Sequence, residues 1–210
     1  MPLPNRVDPF GDLFADPARG LFFGNRGGRF HREDRTLGVR RWVSRSWICC
    51  LLAFKNRHRN VWGAGYTELF FLDEPTALAA GHRPCFECRR ADARAFAAAY
   101  AAGSGLAVVP RAPEIDRVLH GERLAARRAK RRHRRAIDDL PDGAFLELAD
   151  EPGQAFVIRG SALLQWTPTG YAARRRRPGG IAVDILTPPG ILAALANGYL
   201  PCWHPSADAG

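Results

Sequence analysis

The sequence predicts an α+β protein, and two stretches carry that prediction. The alanine-rich segment 89–103 has a helical pattern in which Phe96 and Tyr100 lie one turn apart on the same face. After Pro141, short runs of β-forming residues alternate with Gly, Asp and Pro turns, a pattern typical of a small antiparallel sheet. We therefore expect a mixed αβ region and a basic helix, followed by a small antiparallel β region with a C-terminal helix.

We expect four regions. They are an irregular arm at 1–20, a mixed module at 21–105, a basic helix or linker at 111–137, and a small β-rich region with a terminal helix at 140–204. Composition changes at Pro and Gly clusters mark the boundaries between them.

The first half of the chain alternates predicted strands with turns. Short apolar pairs around glycines favour a β-hairpin at 25–28. The segment 40–56 is rich in β-forming residues and ends in a nearly continuous apolar run, which predicts a central strand. A second strand is expected within 61–72.

A short helix is predicted after these strands. Asp73 is suited to the N-cap, Pro75 to the first turn, and Gly81 to the position that ends the helix. A last helix, capped by Thr187, is expected to end at Asn197 and Gly198.

The charge of the chain favours a polyanionic partner. The 210 residues carry a formal net charge of +10, and nearly all of the positive charge is arginine, which binds phosphate in a bidentate manner. We therefore expect DNA or RNA as a partner. The codon bias of a GC-rich genome is the alternative explanation for so many arginines.

Two arginine-rich runs are the candidate nucleic-acid contacts. The first run is expected to be the solvated second half of a helix, or alternatively a flexible linker. Its basic residues are Arg127, Arg128, Lys130, Arg131, Arg132, Arg134 and Arg135. The second run is expected to lie in a loop and consists of Arg174, Arg175, Arg176 and Arg177. Two aromatic residues are near it in the sequence, and they either stack on bases or belong to the rim of a sheet.

The chain contains no targeting or membrane signal that can be recognised from its residues. No apolar run approaches the roughly 18 residues that span a bilayer. The N-terminus lacks the basic-then-apolar order of a secretory signal. We therefore expect a cytoplasmic protein whose five cysteines are reduced.

The stretch AGHRPCFECRR at 80–90 contains a C-x-x-C turn, Cys85 to Cys88, of the kind that supplies half of a tetrahedral zinc site. With the strand and short helix before it, this stretch resembles the second half of the Ada-type metal-binding domain. The stretch GNRGGRFH, which ends at His31, is similar to part of the first half in small bacterial relatives. The resemblance covers about 24–90.

The resemblance implies zinc ligated by one histidine and three cysteines. His31, Cys85 and Cys88 match three of these ligands, whereas Arg35 stands at the fourth position, and arginine cannot ligate zinc. Cys49 is our candidate for the fourth ligand. Cys50 is an alternative, since neighbouring strand residues face opposite sides and only one can reach the site. Cys202 with His204 is a more distant candidate, and a degenerate, metal-free site remains open.

Ada-type repair proteins transfer a methyl group to the first cysteine of their zinc set, but here His31 occupies that place. We therefore expect no such reaction. The preferred hypothesis is a nucleic-acid-binding protein, associated with DNA repair or DNA processing, whose Ada-like module is stabilised by a structural zinc. The alternatives are a zinc-dependent enzyme that acts on nucleic acid, with water at the fourth position, and a metal-free interaction protein.

Overall fold

The computed structural model describes residues 1–58, 60–126 and 129–209, and it confirms the α+β class. The described chain forms two six-stranded sheets and four α-helices. The helices are α1 (Glu74–Ala79), α2 (Arg90–Gly103), α3 (Ala112–Arg123) and α4 (Pro189–Ala196). Within the described residues, no helix has the length and apolar character needed to cross a membrane.

The first sheet comes from the N-terminal part of the chain. Its strands are β1 (Arg6–Val7), β2 (Leu13–Phe14), β3 (Phe22–Asn25), β4 (Ile48–Leu51), β5 (Leu69–Phe71) and β6 (Arg83–Pro84). Their spatial order is β2-β1-β5-β3-β4-β6. The arm at 1–20 is therefore not wholly irregular, because it contributes β1 and β2.

The hairpin predicted at 25–28 is absent. β3 pairs instead with β4 and β5, both antiparallel, and the long segment 26–47 separates it from β4. The glycines at 27 and 28 pack against Ser44 and Val43 rather than closing a two-strand turn. The strand predicted within 40–56 is present, although it is restricted to the four residues of β4.

Helix α1 forms as its local signals predict. The Asp73 side chain accepts a hydrogen bond from the Thr76 amide at 3.0 Å, and Pro75 lies in the first turn. Gly81 has a φ of +85°, and a Cβ at this position would lie 2.7 Å from Cδ of Arg123. Glycine is therefore required both by the backbone conformation and by the close packing of Arg123.

The four helices share one apolar core. Leu78 of α1, Phe96 and Tyr100 of α2, Leu119 of α3 and Leu195 of α4 are all buried in it. Helix α2 was predicted with the same two aromatic residues on its buried face, and this is confirmed. The core joins α4, from the end of the chain, to helices of the first half.

The second sheet is antiparallel, as predicted. Its strands are β7 (His133–Ala136), β8 (Phe145–Glu147), β9 (Phe156–Arg159), β10 (Ala162–Thr167), β11 (Gly170–Arg176) and β12 (Ala182–Ile185), in the order β11-β10-β9-β8-β12-β7. Helix α4 follows as predicted, but Thr187 does not cap it, because its hydroxyl accepts from the Phe145 amide at 2.9 Å.

Both arginine-rich runs differ from their predicted structure. The helix of the 111–137 region ends at Arg123, and the described part of its basic second half leads into the edge strand β7. The run that begins at Arg174 belongs to the opposite edge strand, β11, up to Arg176, rather than to a loop. Edge strands expose one side to solvent, and charged residues are favoured there because they prevent further strand pairing.

A buried polar cluster at the start of α1 connects the two halves of the protein. The Glu74 carboxylate accepts from Arg89 at 2.7 Å, from the Tyr199 hydroxyl at 2.5 Å and from the Cys202 amide at 2.9 Å. The neighbouring Asp73 accepts from the Tyr171 hydroxyl at 2.7 Å. The C-terminal segment and strand β11 are therefore held directly against α1.

We predict that Glu74→Ala lowers the free energy of unfolding by about 3–5 kcal/mol, because the buried Arg89 guanidinium loses its buried carboxylate partner and keeps only the half-exposed Asp92. The matched control is Asp184→Ala, which removes an exposed pair with Arg134 and is expected to cost about 0–1 kcal/mol. Urea denaturation measures both. Equal losses in the two variants would contradict the role given to Glu74.

Candidate metal centre

Three cysteine thiols meet at one end of the first sheet. The Sγ atoms of Cys50, Cys85 and Cys88 all lie within 4.8 Å of one another. Cys50 and Cys85 are buried, and Cys88 is half-buried. Thiolates at such short separations are the donor set that Zn²⁺ prefers in proteins. The C-x-x-C turn predicted as half of a metal site therefore has a third sulfur beside it.

Pairing between β4 and β6 brings the three sulfurs together. These strands run parallel, with Cys49 opposite Pro84, and the Cys85 amide donates to the Cys49 carbonyl at 3.0 Å. The turn that holds Cys85 and Cys88 then leads into α2, and the Arg89 amide donates to the Cys85 carbonyl at 3.0 Å. The backbone thus fixes the turn against β4 before any metal binds.

The hydrogen bonds at the cluster favour a thiolate at Cys85. The thiols of Cys50 and Cys88 donate to it and lower its pKa, while the same contact raises the pKa of Cys50. The backbone amide of Glu87 also points at the Cys85 sulfur, at 3.4 Å. Because metals bind the deprotonated sulfur, this arrangement is already suited to a cation.

A pocket of about 690 Å³ opens beside the cluster and is lined by all three cysteines. Its other polar walls include Arg57, His58, Glu68 and Glu87. Within the described ranges, no other Cys, His, Asp or Glu lies close enough to join the three sulfurs. A metal held here would therefore have three protein ligands and a fourth position on the pocket side.

The structure does not bring His31 to the thiols. Its Nδ1 lies 2.8 Å from the Thr67 hydroxyl and its Nε2 lies 3.1 Å from the Gly63 carbonyl, so both ring nitrogens have hydrogen-bond partners. The ring also stacks on Trp62, with the centroids 5.1 Å apart. In this arrangement the imidazole ties the loop before β5 to the segment that connects β3 and β4.

Cys49 also lies apart from the cluster, and Cys50 takes the place expected for it. The Cys49 side chain packs in the core with Leu69 and Phe71, and it accepts from Arg89 at 3.6 Å. Burial raises the pKa of its thiol, which makes it a poor ligand. As expected from the alternation of side chains along a strand, only one of Cys49 and Cys50 faces the C-x-x-C turn. That residue is Cys50 and not Cys49.

The distant candidates Cys202 and His204 lie at the polar cluster of α1 instead. The Cys202 amide donates to Glu74, and the His204 ring lies 2.8 Å from the Ser206 hydroxyl. Neither residue belongs to the group of sulfurs around Cys50.

The predicted nucleic-acid contacts are dispersed. Arg127 and Arg128 lie outside the described residues. Several others have partners within the protein: Lys130 with the Ala79 carbonyl, Arg132 with Glu147, Arg134 with Asp184, Arg175 with Glu151, and Arg177 with the Ile137 carbonyl. Two more donate to backbone carbonyls, Arg131 to that of Leu124 at 3.1 Å and Arg174 to that of Ala207 at 3.4 Å. Within the described chain, four exposed members of the two runs form no ion pair: Arg131, Arg135, Arg174 and Arg176.

Comparison with known proteins adds no relative, because no family model, curated protein or solved structure matches this chain.

Proposed function

We propose that the protein binds a zinc ion through Cys50, Cys85 and Cys88 and leaves the fourth coordination position open to the adjoining pocket. The observation that carries this proposal is the meeting of three sulfurs within 4.8 Å at the wall of that pocket. Three protein ligands with an open position are typical of catalytic zinc, whereas structural zinc is closed by four.

The open position favours the enzymatic alternative over a purely structural zinc. A zinc ion at the three thiolates would polarise a water molecule and lower its pKa, which makes a nucleophile available at neutral pH. The buried Glu68 and the more exposed Glu87 are the carboxylates that line the pocket, and they are the candidate proton acceptors. We therefore propose hydrolytic attack on a substrate bound in this pocket.

The partial resemblance to the Ada-type domain supports a metal at the C-x-x-C turn and nothing more specific. Methyl transfer to the protein is not part of the proposal, since that reaction needs a reactive thiolate where this chain has His31. Ligation through thiolates requires reduced cysteines, which fits the expected cytoplasmic location.

Nucleic acid is the partner that we propose for the surface of the protein. The exposed arginines of the two edge strands, Arg135 on β7 and Arg174 and Arg176 on β11, support this proposal because they form no ion pair within the described residues and are available to phosphates.

For the metal site, we predict about one zinc per chain in protein purified without chelator, measured by inductively coupled plasma mass spectrometry. Cys50→Ser and Cys85→Ser are each expected to lose most of this metal, because two thiolates bind zinc far more weakly than three. Three variants serve as controls that retain it: Cys202→Ser, Cys49→Ala and His31→Ala. Metal loss in His31→Ala but not in Cys50→Ser would place the ligands elsewhere.

For the surface, we predict that binding to duplex and single-stranded oligonucleotides weakens steeply as salt rises, as measured by fluorescence anisotropy. The double variant Arg174→Glu/Arg176→Glu should weaken binding at least tenfold. Arg90→Glu/Arg94→Glu on α2 is the control, because it changes the net charge equally on another surface. Equal losses in both variants would indicate a general charge effect and contradict binding along β11.

A further inference from the structure

A second, smaller cavity lies apart from the cysteine pocket and is unusually rich in positive charge. Its walls include Arg26, Arg41, Arg123 and Lys130, and Asp12 is its one acidic residue. The cavity measures about 50 Å³ and shares no lining residue with the cysteine pocket. We call it the basic cavity.

The cations of the basic cavity are built into the interior. Arg26 is 2% exposed and Arg123 is 1% exposed, and both guanidiniums lie over the ring of Trp47, at 4.0 Å and 4.1 Å from its centroid. Residue Trp47 is itself buried, so the aromatic ring holds the two planar groups at fixed positions.

The hydrogen-bond partners of these cations are neutral. Arg26 donates to the Gly11 carbonyl at 2.8 Å, and Arg123 donates to the Gly81 carbonyl at 2.6 Å. Lys130 donates to a backbone carbonyl of α1. In the part of the chain that the structure describes, no carboxylate pairs with any of the three. The Nε atom of Arg123 is buried and has no hydrogen-bond partner.

Buried cations without counter-ions are costly, and their pKa values reflect this cost. Burial, with a smaller contribution from Arg41, lowers the pKa of Arg26 to about 9, and burial with the charge of Arg26 lowers the pKa of Arg123 to about 9. Burial also lowers the pKa of Lys130 to about 7.

The nearby carboxylates offset this charge only in part. Asp12 is exposed, and Asp8 does not line the cavity. The lining therefore has four cationic side chains and one exposed carboxylate.

We propose that the basic cavity binds a tetrahedral oxyanion of the phosphate class, either free inorganic phosphate or the terminal phosphate of a nucleotide. A water molecule needs roughly 10–15 Å³ of such a cavity, so its volume suits a group with a few oxygen atoms. Fixed guanidiniums beside an ammonium supply the charge and the donors that phosphate requires. This proposal is independent of the zinc site.

The test is calorimetric titration of the full-length protein, purified in phosphate-free buffer, with inorganic phosphate and separately with a nucleoside 5′-monophosphate. Potassium chloride at matched ionic strength corrects for general salt effects. We expect saturable 1:1 binding of at least one of the two ligands. Tighter binding of the nucleotide would assign a terminal phosphate, and equal or tighter binding of inorganic phosphate would assign the free ion.

Lys130→Met is the diagnostic variant, and we expect it to bind the preferred ligand at least tenfold more weakly. The melting temperature without ligand should stay the same or rise, because one repelling charge is removed from the cavity. Lys55→Met makes the same exchange at the other lysine of the chain, which is exposed, and should leave the affinity unchanged. Arg41→Gln changes the half-buried wall of the cavity and provides a second variant, also expected to weaken binding.

Two results would overturn the proposal. One is the absence of saturable binding of both phosphate ligands to the wild-type protein. The other is wild-type affinity in both Lys130→Met and Arg41→Gln. Since the titration needs no metal and no catalytic readout, either result leaves the zinc proposal unaffected.

Discussion

The parallel pairing of β4 with β6 is the constraint on which the cluster of three cysteines, the candidate metal centre, depends. It fixes which face of β4 meets the C-x-x-C turn, because side chains alternate between the two faces of a strand. With Cys49 opposite Pro84, the Cys50 sulfur lies beside those of Cys85 and Cys88. A shift of one residue in this register would exchange the two neighbours and place Cys50 in the core.

The other side of β4 shows why this register is well specified. Cys49 is fully buried among apolar side chains, and the Arg89 guanidinium lies between its sulfur and the Glu74 carboxylate. Arg89 directly follows Cys88 and precedes α2, so its ion pair anchors the end of the cysteine turn to α1. The polar cluster that holds the C-terminal segment therefore also fixes the cysteine turn of the candidate metal site.

Features encoded by neighbouring residues could be predicted from the sequence. The cap at Asp73, the stop at Gly81 and the helix with Phe96 and Tyr100 depend on contacts within a few positions along the chain. The C-x-x-C turn was likewise visible, because its chemistry is contained in four residues. These elements form as their local patterns indicate.

Features that depend on distant partners could not be predicted in the same way. The choice between Cys49 and Cys50 depends on the pairing of β4 with a two-residue strand. The arginines of β11 have the polarity of a loop, and only their pairing with β10 makes them a strand. Lys130 looked like part of a solvated arm, yet its ammonium bonds to a carbonyl of α1. The net charge of the sequence therefore does not indicate which basic side chains are exposed to solvent.

We propose that a zinc ion in this protein is surrounded by three sulfurs and one lighter atom. Zinc X-ray absorption spectroscopy on the purified protein tests it most directly, because sulfur and light-atom shells are resolved at different distances. We predict about three sulfurs at roughly 2.3 Å and one oxygen or nitrogen at roughly 2.0–2.2 Å. A shell of four sulfurs, or one with fewer than three, would contradict the open Cys50–Cys85–Cys88 site.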